Sequence, residues 1–234
     1  MKIPRCSRLL IPLFCQIILC AYTSTPWANY MNESAWQMTA GHKVEAEASL
    51  KNAIKEAEKP DGYKPALIMT LVALGDFYER QGNHKLAEAN YKRACGLEKD
   101  DSQPYEKLGG AIKKQGRAQE AQQAEELGKK IDQRYSRVDF KPFMSGLNKR
   151  IRSAWNPGQV TSSSHAVASF VLDKQGDIKA LCLTKSSGSK KADEAALQAA
   201  ADAAPFGALP AGSPEIVYVR YSFDMNILSR PSAE

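Results

Sequence analysis

The chain is poor in the residues that build reactive or metal sites. Its three histidines, His42, His84 and His165, are scattered, so none has a sequence neighbour with which to form a ligand or nucleophile–base pair. Of five cysteines, Cys6, Cys15 and Cys20 crowd the N-terminus and only Cys95 and Cys182 lie beyond it. One of these falls in a predicted helix and the other in a predicted strand of a different region, which argues against a disulfide and against zinc spacing. No phosphate-cradling glycine loop occurs, and Asp173 to Gly176 lacks the alternating acidic residues and distal glutamate of a calcium loop. Ser186-Ser187-Gly188 has no accompanying base, and a turn explains it. No catalytic residue, metal site or cofactor is expected.

Charge of one sign is also in short supply. The formal net charge is +6, from 32 basic and 26 acidic residues. Lys2, Arg5 and Arg8 belong to the N-terminal segment, so the remainder holds 32 − 3 = 29 basic against 26 acidic residues, a balance too mild to imply nucleic acid. Long apolar runs are missing too. The longest spans only Leu9 to Tyr22 and contains Pro12, whereas a membrane-spanning helix needs roughly 20 apolar residues. Behind its basic start this run reads as an export signal over residues 1–28, a retained inner-membrane anchor being the alternative. Leu19 is too large to precede a lipidated Cys20.

Residues 30–135 are helical and repetitive. Leu74 recurs as Leu108, Gly75 as Gly109, Gly82 as Gly116 and Ala87 as Ala121, each 34 positions on. A fixed period of this size means stacked helix–turn–helix units. Leu74, Gly75, Tyr78, Gly82, Ala87, Tyr91 and Ala94 resemble the tetratricopeptide repeat, with Lys99 where its proline usually stands. A weaker first unit is carried by Gly41, Ala46, Leu50 and Ala53. In the third, Glu125 and Gly128 take the Tyr91 and Ala94 places, a more polar end to the array. The resemblance implies a groove lined by the first helix of each pair, exposing Met69, Val72, Asp76, Glu79, Arg80, Gln103, Glu106, Lys113 and Lys114. That groove either binds a protein or serves only as a spacer for the C-terminal region.

The last third reads as helix, strand, strand, helix, strand. Phe140, Phe143, Met144, Leu147, Ile151 and Trp155 form one apolar helix face, which Asn156-Pro157-Gly158 stops. Trp155 should close it against Phe170 and Phe223. Ala166 to Asp173 is a strand with Ala168, Phe170 and Leu172 on one face, and Lys174-Gln175-Gly176-Asp177 is a tight hairpin turn. Along the return strand, Ile178 to Thr184, the apolar parity changes between Ile178 and Leu181, which predicts a bulge. Gly188 supplies a positive φ after it, the alanine-rich stretch to Ala204 makes a helix able to lie close to a sheet, and Pro205 ends that helix. Ile216 to Asp224 is the last strand, with Val217, Val219, Tyr221 and Phe223 alternating toward the helices, and Ile216, Tyr218, Arg220 and Ser222 facing away.

Taken in order, Phe143-Met144…Leu147…Ile151…Trp155-Asn156-Pro157, Phe170…Asp173…Gly176, Ser186-Ser187-Gly188, Asp193-Glu194-Ala195-Ala196-Leu197, Ala204-Pro205-Phe206…Leu209-Pro210 and Val219…Tyr221-Ser222-Phe223 resemble the TonB C-terminal domain family over about residues 139–226. The chain lacks that family's Gln-Pro pair ahead of the first helix, having Lys141-Pro142-Phe143. It has no proline-rich linker, and no histidine lies between Leu9 and Tyr22. The fold class expected is therefore α+β: an all-α repeat region, a small α-β-β-α-β domain with a three-stranded antiparallel sheet, and a tail at 227–234. The resemblance implies a non-enzymatic cell-envelope or periplasmic protein, an energy transducer or periplasmic linker, that binds an outer-membrane receptor or other envelope protein. Its last strand, Ile216, Val217, Tyr218, Val219, Arg220, Tyr221 and Ser222, would accept an added strand from that partner, or from a second copy of the chain. A scaffold that binds through the repeat groove, without energy transduction, is the competing reading.

Overall fold

The computed structural model describes residues 25–155 and 165–224. The export-signal reading up to residue 24, the Asn156-Pro157-Gly158 stop and the 227–234 tail lie outside the described residues.

Six helices form three antiparallel pairs: α1 Pro26–Ala40 with α2 Lys43–Ala57, α3 Lys64–Arg80 with α4 His84–Leu97, and α5 Gln103–Lys113 with α6 Ala118–Tyr135. Each pair turns through a glycine of positive φ, Gly41, Gly82 and Gly116 in turn. The left-handed conformation is nearly free of cost only for glycine, so this small residue recurs at each turn. Gly75 lets the helices of the second pair touch, because a Cβ there would lie 2.3 Å from the ring of buried Tyr91. Successive pairs are tied by the Tyr78 hydroxyl donating to Glu47 at 2.6 Å, Lys107 to Asp76 at 2.6 Å, and ion pairs of Arg93 with Glu58 and Lys114 with Glu79.

The remaining elements are α7 Lys141–Ala154, β1 His165–Asp173, β2 Ile178–Lys185, α8 Lys190–Asp202 and β3 Ile216–Asp224. The fold is thus α+β, with eight helices among the described residues and one antiparallel sheet of order β2-β1-β3. At the β1–β2 turn the Asp173 carboxylate accepts the N–H groups of Gln175 and Asp177, and Gly176 takes φ +81°. The expected bulge is present: Val171 pairs with Ala180 but Leu172 with Ile178, so Lys179 is skipped. A second shift at Val167/Ala168 skips Thr184.

α7 and α8 cover one face of the sheet. Leu147, Ile151, Phe170, Leu181, Phe206 and Phe223 are among the residues buried there, and Phe206 stacks on Phe170 at 5.7 Å. Ala192, Ala196 and Ala200 of α8 have no exposed surface, which is how that helix sits so close. Trp155 packs on Phe223 at 4.8 Å, as expected, yet it stays half-buried. Met144 departs from the expected apolar face: it is 41 % exposed, because contact with the sheet falls along Leu147 and Ile151 one turn on.

The opposite face of the sheet is covered over part of its extent. Val171, Ala180 and Cys182 join the core of the helical pairs, with Ile216 and Tyr218 packed on its margin. The helical pairs and this face of the sheet therefore share one hydrophobic cluster. α1 makes most of that junction. It begins at Pro26, inside the stretch read as a signal, with the Thr25 hydroxyl capping its N-terminus and Trp27 and Ala28 buried.

Candidate partner-binding edge

A three-stranded sheet has two edge strands, and each presents backbone donors and acceptors that its neighbour cannot satisfy. Here the two edges have different fates. The outer side of β2 lies under α1. Asn32 of that helix, 5 % exposed, accepts the Leu183 N–H at 2.7 Å through its side-chain oxygen. The same helix sends Trp27 Nε1 to the Thr70 hydroxyl at 2.7 Å and Trp36 Nε1 to the Asp193 carboxylate at 3.1 Å. Lys190 lies over the Trp36 ring at 4.2 Å, within cation–π range.

Asp193 explains the serine–glycine turn. It is wholly buried, and besides Trp36 it receives the Ser186 hydroxyl at 2.5 Å and the Ser187 N–H at 2.8 Å. Burying a carboxylate is costly unless donors such as these satisfy its oxygens. Ser186 and Ser187 thus hold a turn, in keeping with the sequence reading.

β3 has the other fate. It pairs with β1 from Ile216↔Asp173 to Asp224↔His165, and among the described residues no backbone hydrogen bond of residues 216–223 goes beyond β1. Side-chain parity is as expected. Val219 and Phe223 are buried under α7 and α8, Val217 and Tyr221 pack beside them, and the Tyr221 hydroxyl donates to Asn148 at 2.7 Å. On the other face Ile216 and Tyr218 meet the helical core, while Arg220 and Ser222 are exposed. The seven residues from Ile216 to Ser222 form one continuous edge.

The predicted groove residues are placed differently. Met69, Val72, Asp76, Arg80 and Gln103 line a cleft of about 70 Å³ whose far wall is the sheet, including Ser169, Tyr218 and Arg220. Val72 is buried and Met69 half-buried, so neither is the exposed groove residue expected; the chain's own sheet covers them. Asp76 is engaged by Lys107 and the Tyr91 hydroxyl, and Glu79 by His84 and Lys114. Only Arg80, Glu106, Lys113 and Lys114 of the nine are exposed. Sequence reasoning did not pair α1 with β2, since Asn32 and Leu183 are 151 positions apart and a lone asparagine carries no pattern.

A second cavity, of about 390 Å³, opens at the start of β3. One wall is Pro214 to Tyr218; the other is the turn around Glu98 to Ser102 and the end of α6, Ile131 to Tyr135, with Phe140. Burial pushes the Asp101 carboxyl there up to about 6, against the Gln103 N–H, which lowers it; Glu98, Glu106 and Asp132 push it the same way as burial does. Cys95 and Cys182 are both free and buried, and burial pushes each thiol up, Cys95 to about 12. Neither has the depressed value of a reactive thiol. Among the described residues no helix is long and apolar enough to cross a membrane.

Residues 140–223 match the family model described as TonB C terminal. That span holds α7, the whole sheet and α8, and leaves the six N-terminal helices outside it. Searches of curated proteins and of solved structures returned no match.

Proposed function

We propose that the chain is a non-enzymatic protein of the cell envelope that binds an extended segment of another envelope protein by strand addition to β3. The observation that carries this reading is the inequality of the two edges. α1 closes β2, supplying an acceptor to one of its N–H groups, while among the described residues the outer row of β3 along Ile216 to Ser222 has no backbone partner. Main-chain hydrogen bonds would supply affinity, and Arg220 and Ser222 would meet the side chains of the incoming strand. Arg220 also hinders pairing with a second copy of the same strand. The match to the TonB C-terminal family supports an outer-membrane receptor as the partner. In this reading the helical pairs brace the sheet from behind, as a TonB-like transducer or periplasmic linker whose arm is an array of helices.

The scaffold alternative needs a free groove, and Met69 and Val72 face the chain's own sheet. The test is site-specific photocrosslinking in the native envelope. A photoreactive residue at Arg220 or Ser222 should capture an extended segment of an outer-membrane protein, mapped by mass spectrometry. The same group at Lys113 or Glu106 should capture nothing in common with it. Crosslinks from the helices alone, with none from β3, would reverse the assignment.

A further inference from the structure

The cavity at the start of β3 has an unusual lining. Five carboxylates border it, Glu98, Asp100, Asp101, Asp132 and Glu215, and no basic side chain does. Their existing partners are partial. Asp100 pairs with Arg134 and Glu215 with Lys174, Glu98 accepts the N–H groups of Lys99 and Asp100, and Asp101 accepts that of Gln103. Asp132 has no partner among the described residues. Tyr218 is half-buried, and its buried hydroxyl has no hydrogen-bond partner among the described residues, an arrangement that folded proteins rarely leave uncompensated. Tyr218 belongs to both the cavity wall and the open edge.

These features call for a cation that arrives with the added strand. Among the described residues no group of three or more acidic, histidine or cysteine side chains converges as metal ligands would. The wall also offers Ile131, Tyr135 and Phe140, apolar surface that a bare ion would not use. A lysine or arginine uses both: its methylene stem lies on apolar surface while its charged end reaches carboxylates. We propose that the segment added to β3 carries a lysine or arginine that seats in this cavity, beside Ile216 and Tyr218, and so fixes the register of the added strand. The inference rests on the strand-addition reading and extends it to the chemistry of the partner.

The test uses the full chain. Decapeptides are selected from a displayed random library, and each is compared with a twin in which its lysine or arginine is replaced by norleucine. Fluorescence anisotropy gives affinity, and amide exchange reports whether β3 is protected. Expected are peptides that protect β3 amides and lose about tenfold in affinity on that replacement, the order of a close charge pair at an interface. The difference should shrink at high salt and in Asp132→Asn, and Tyr218→Phe should weaken the basic peptide more than its twin. Peptides that protect β3 with no basic preference would overturn this inference and leave strand addition standing. If no selected peptide protects β3, strand addition falls and the inference falls with it.

Discussion

The closure of the β2 edge by Asn32 can be tested at a single hydrogen bond. Asn32→Leu keeps the number and branching of the side-chain heavy atoms but removes the acceptor of the Leu183 N–H. That amide is buried beneath α1, so it loses its partner without gaining water. An orphaned buried donor costs about 1–3 kcal/mol, and the added apolar surface returns part of it. A net loss of about 2 kcal/mol is expected, a large share of the roughly 5–15 kcal/mol that holds a folded protein together. Trp36→Phe is the comparison. It removes one donor to Asp193, which keeps the Ser186 hydroxyl and the Ser187 N–H, so it should cost less than about 1 kcal/mol. Urea unfolding gives both losses. Amide exchange gives the local one: the Leu183 N–H should exchange roughly 30-fold faster in Asn32→Leu, the equivalent of that loss. If Leu183 stays as protected as in the parent and the urea midpoint does not move, α1 does not close this edge. Both edges would then be equivalent, and the argument for β3 would fail.

Further substitutions probe the rest of the frame. Gly75→Ala should cost about 1–2 kcal/mol, because its methyl meets the Tyr91 ring at 2.3 Å and that ring is locked by a 2.7 Å bond to Asp76, whereas Gly109→Ala meets the more movable Glu125 side chain at 2.7 Å and the Ala121 carbonyl oxygen at 3.1 Å and should cost less; equal midpoints in thermal melts would refute the contrast. Asp101 has a folded value of about 6, above its ordinary 3.8, so its contribution to stability is complete below about pH 4 and is lost as pH rises through 6. Asp101→Asn should therefore stabilise by about 1–2 kcal/mol at pH 8 and by little at pH 4, measured by urea unfolding at both. Glu88 runs the opposite way: burial would raise it, but hydrogen bonds from Lys92, Gln115 and Arg117 outweigh burial and hold it at about 2. Its stabilisation is present above 4.5 and lost as pH falls toward 2, so Glu88→Gln should cost about 2 kcal/mol at pH 7 and much less at pH 2.5; a loss independent of pH would exclude the ionic origin.

Local chemistry wrote much of this structure openly into the sequence. The parity change after Ile178 marked the bulge, Gly176 and Gly188 the turns, and the alanines of α8 a close helix–sheet contact. The alternation of Val217, Val219, Tyr221 and Phe223 identified the face of β3, since a period of two fixes side-chain direction. The hidden part was long-range. Val72 and Met69 look like groove residues by helix position, and nothing nearby in sequence says that a sheet fills the space in front of them. Cys182 and Ala180 look like ordinary strand interior, with no sign of which helices they meet. Asn32 was invisible for the same reason, because one polar side chain bonding a distant backbone amide leaves no periodic trace. The candidate edge was legible as a strand, but that α1 takes the other edge was not.

That helix also shapes how the chain reaches its final form. α1 leads the described chain, yet two of its polar partners, Leu183 and Asp193, lie 151 and 157 residues downstream of Asn32 and Trp36. A chain that emerges from its N-terminus presents α1 long before β2 exists. Loop closure over such a distance must precede any gain from those contacts, which slows folding. Until then Asn32 and Trp36 lack these partners, and α1 has only its neighbouring helices to pack against. Completion of the last third is thus the event that completes the packing of the first.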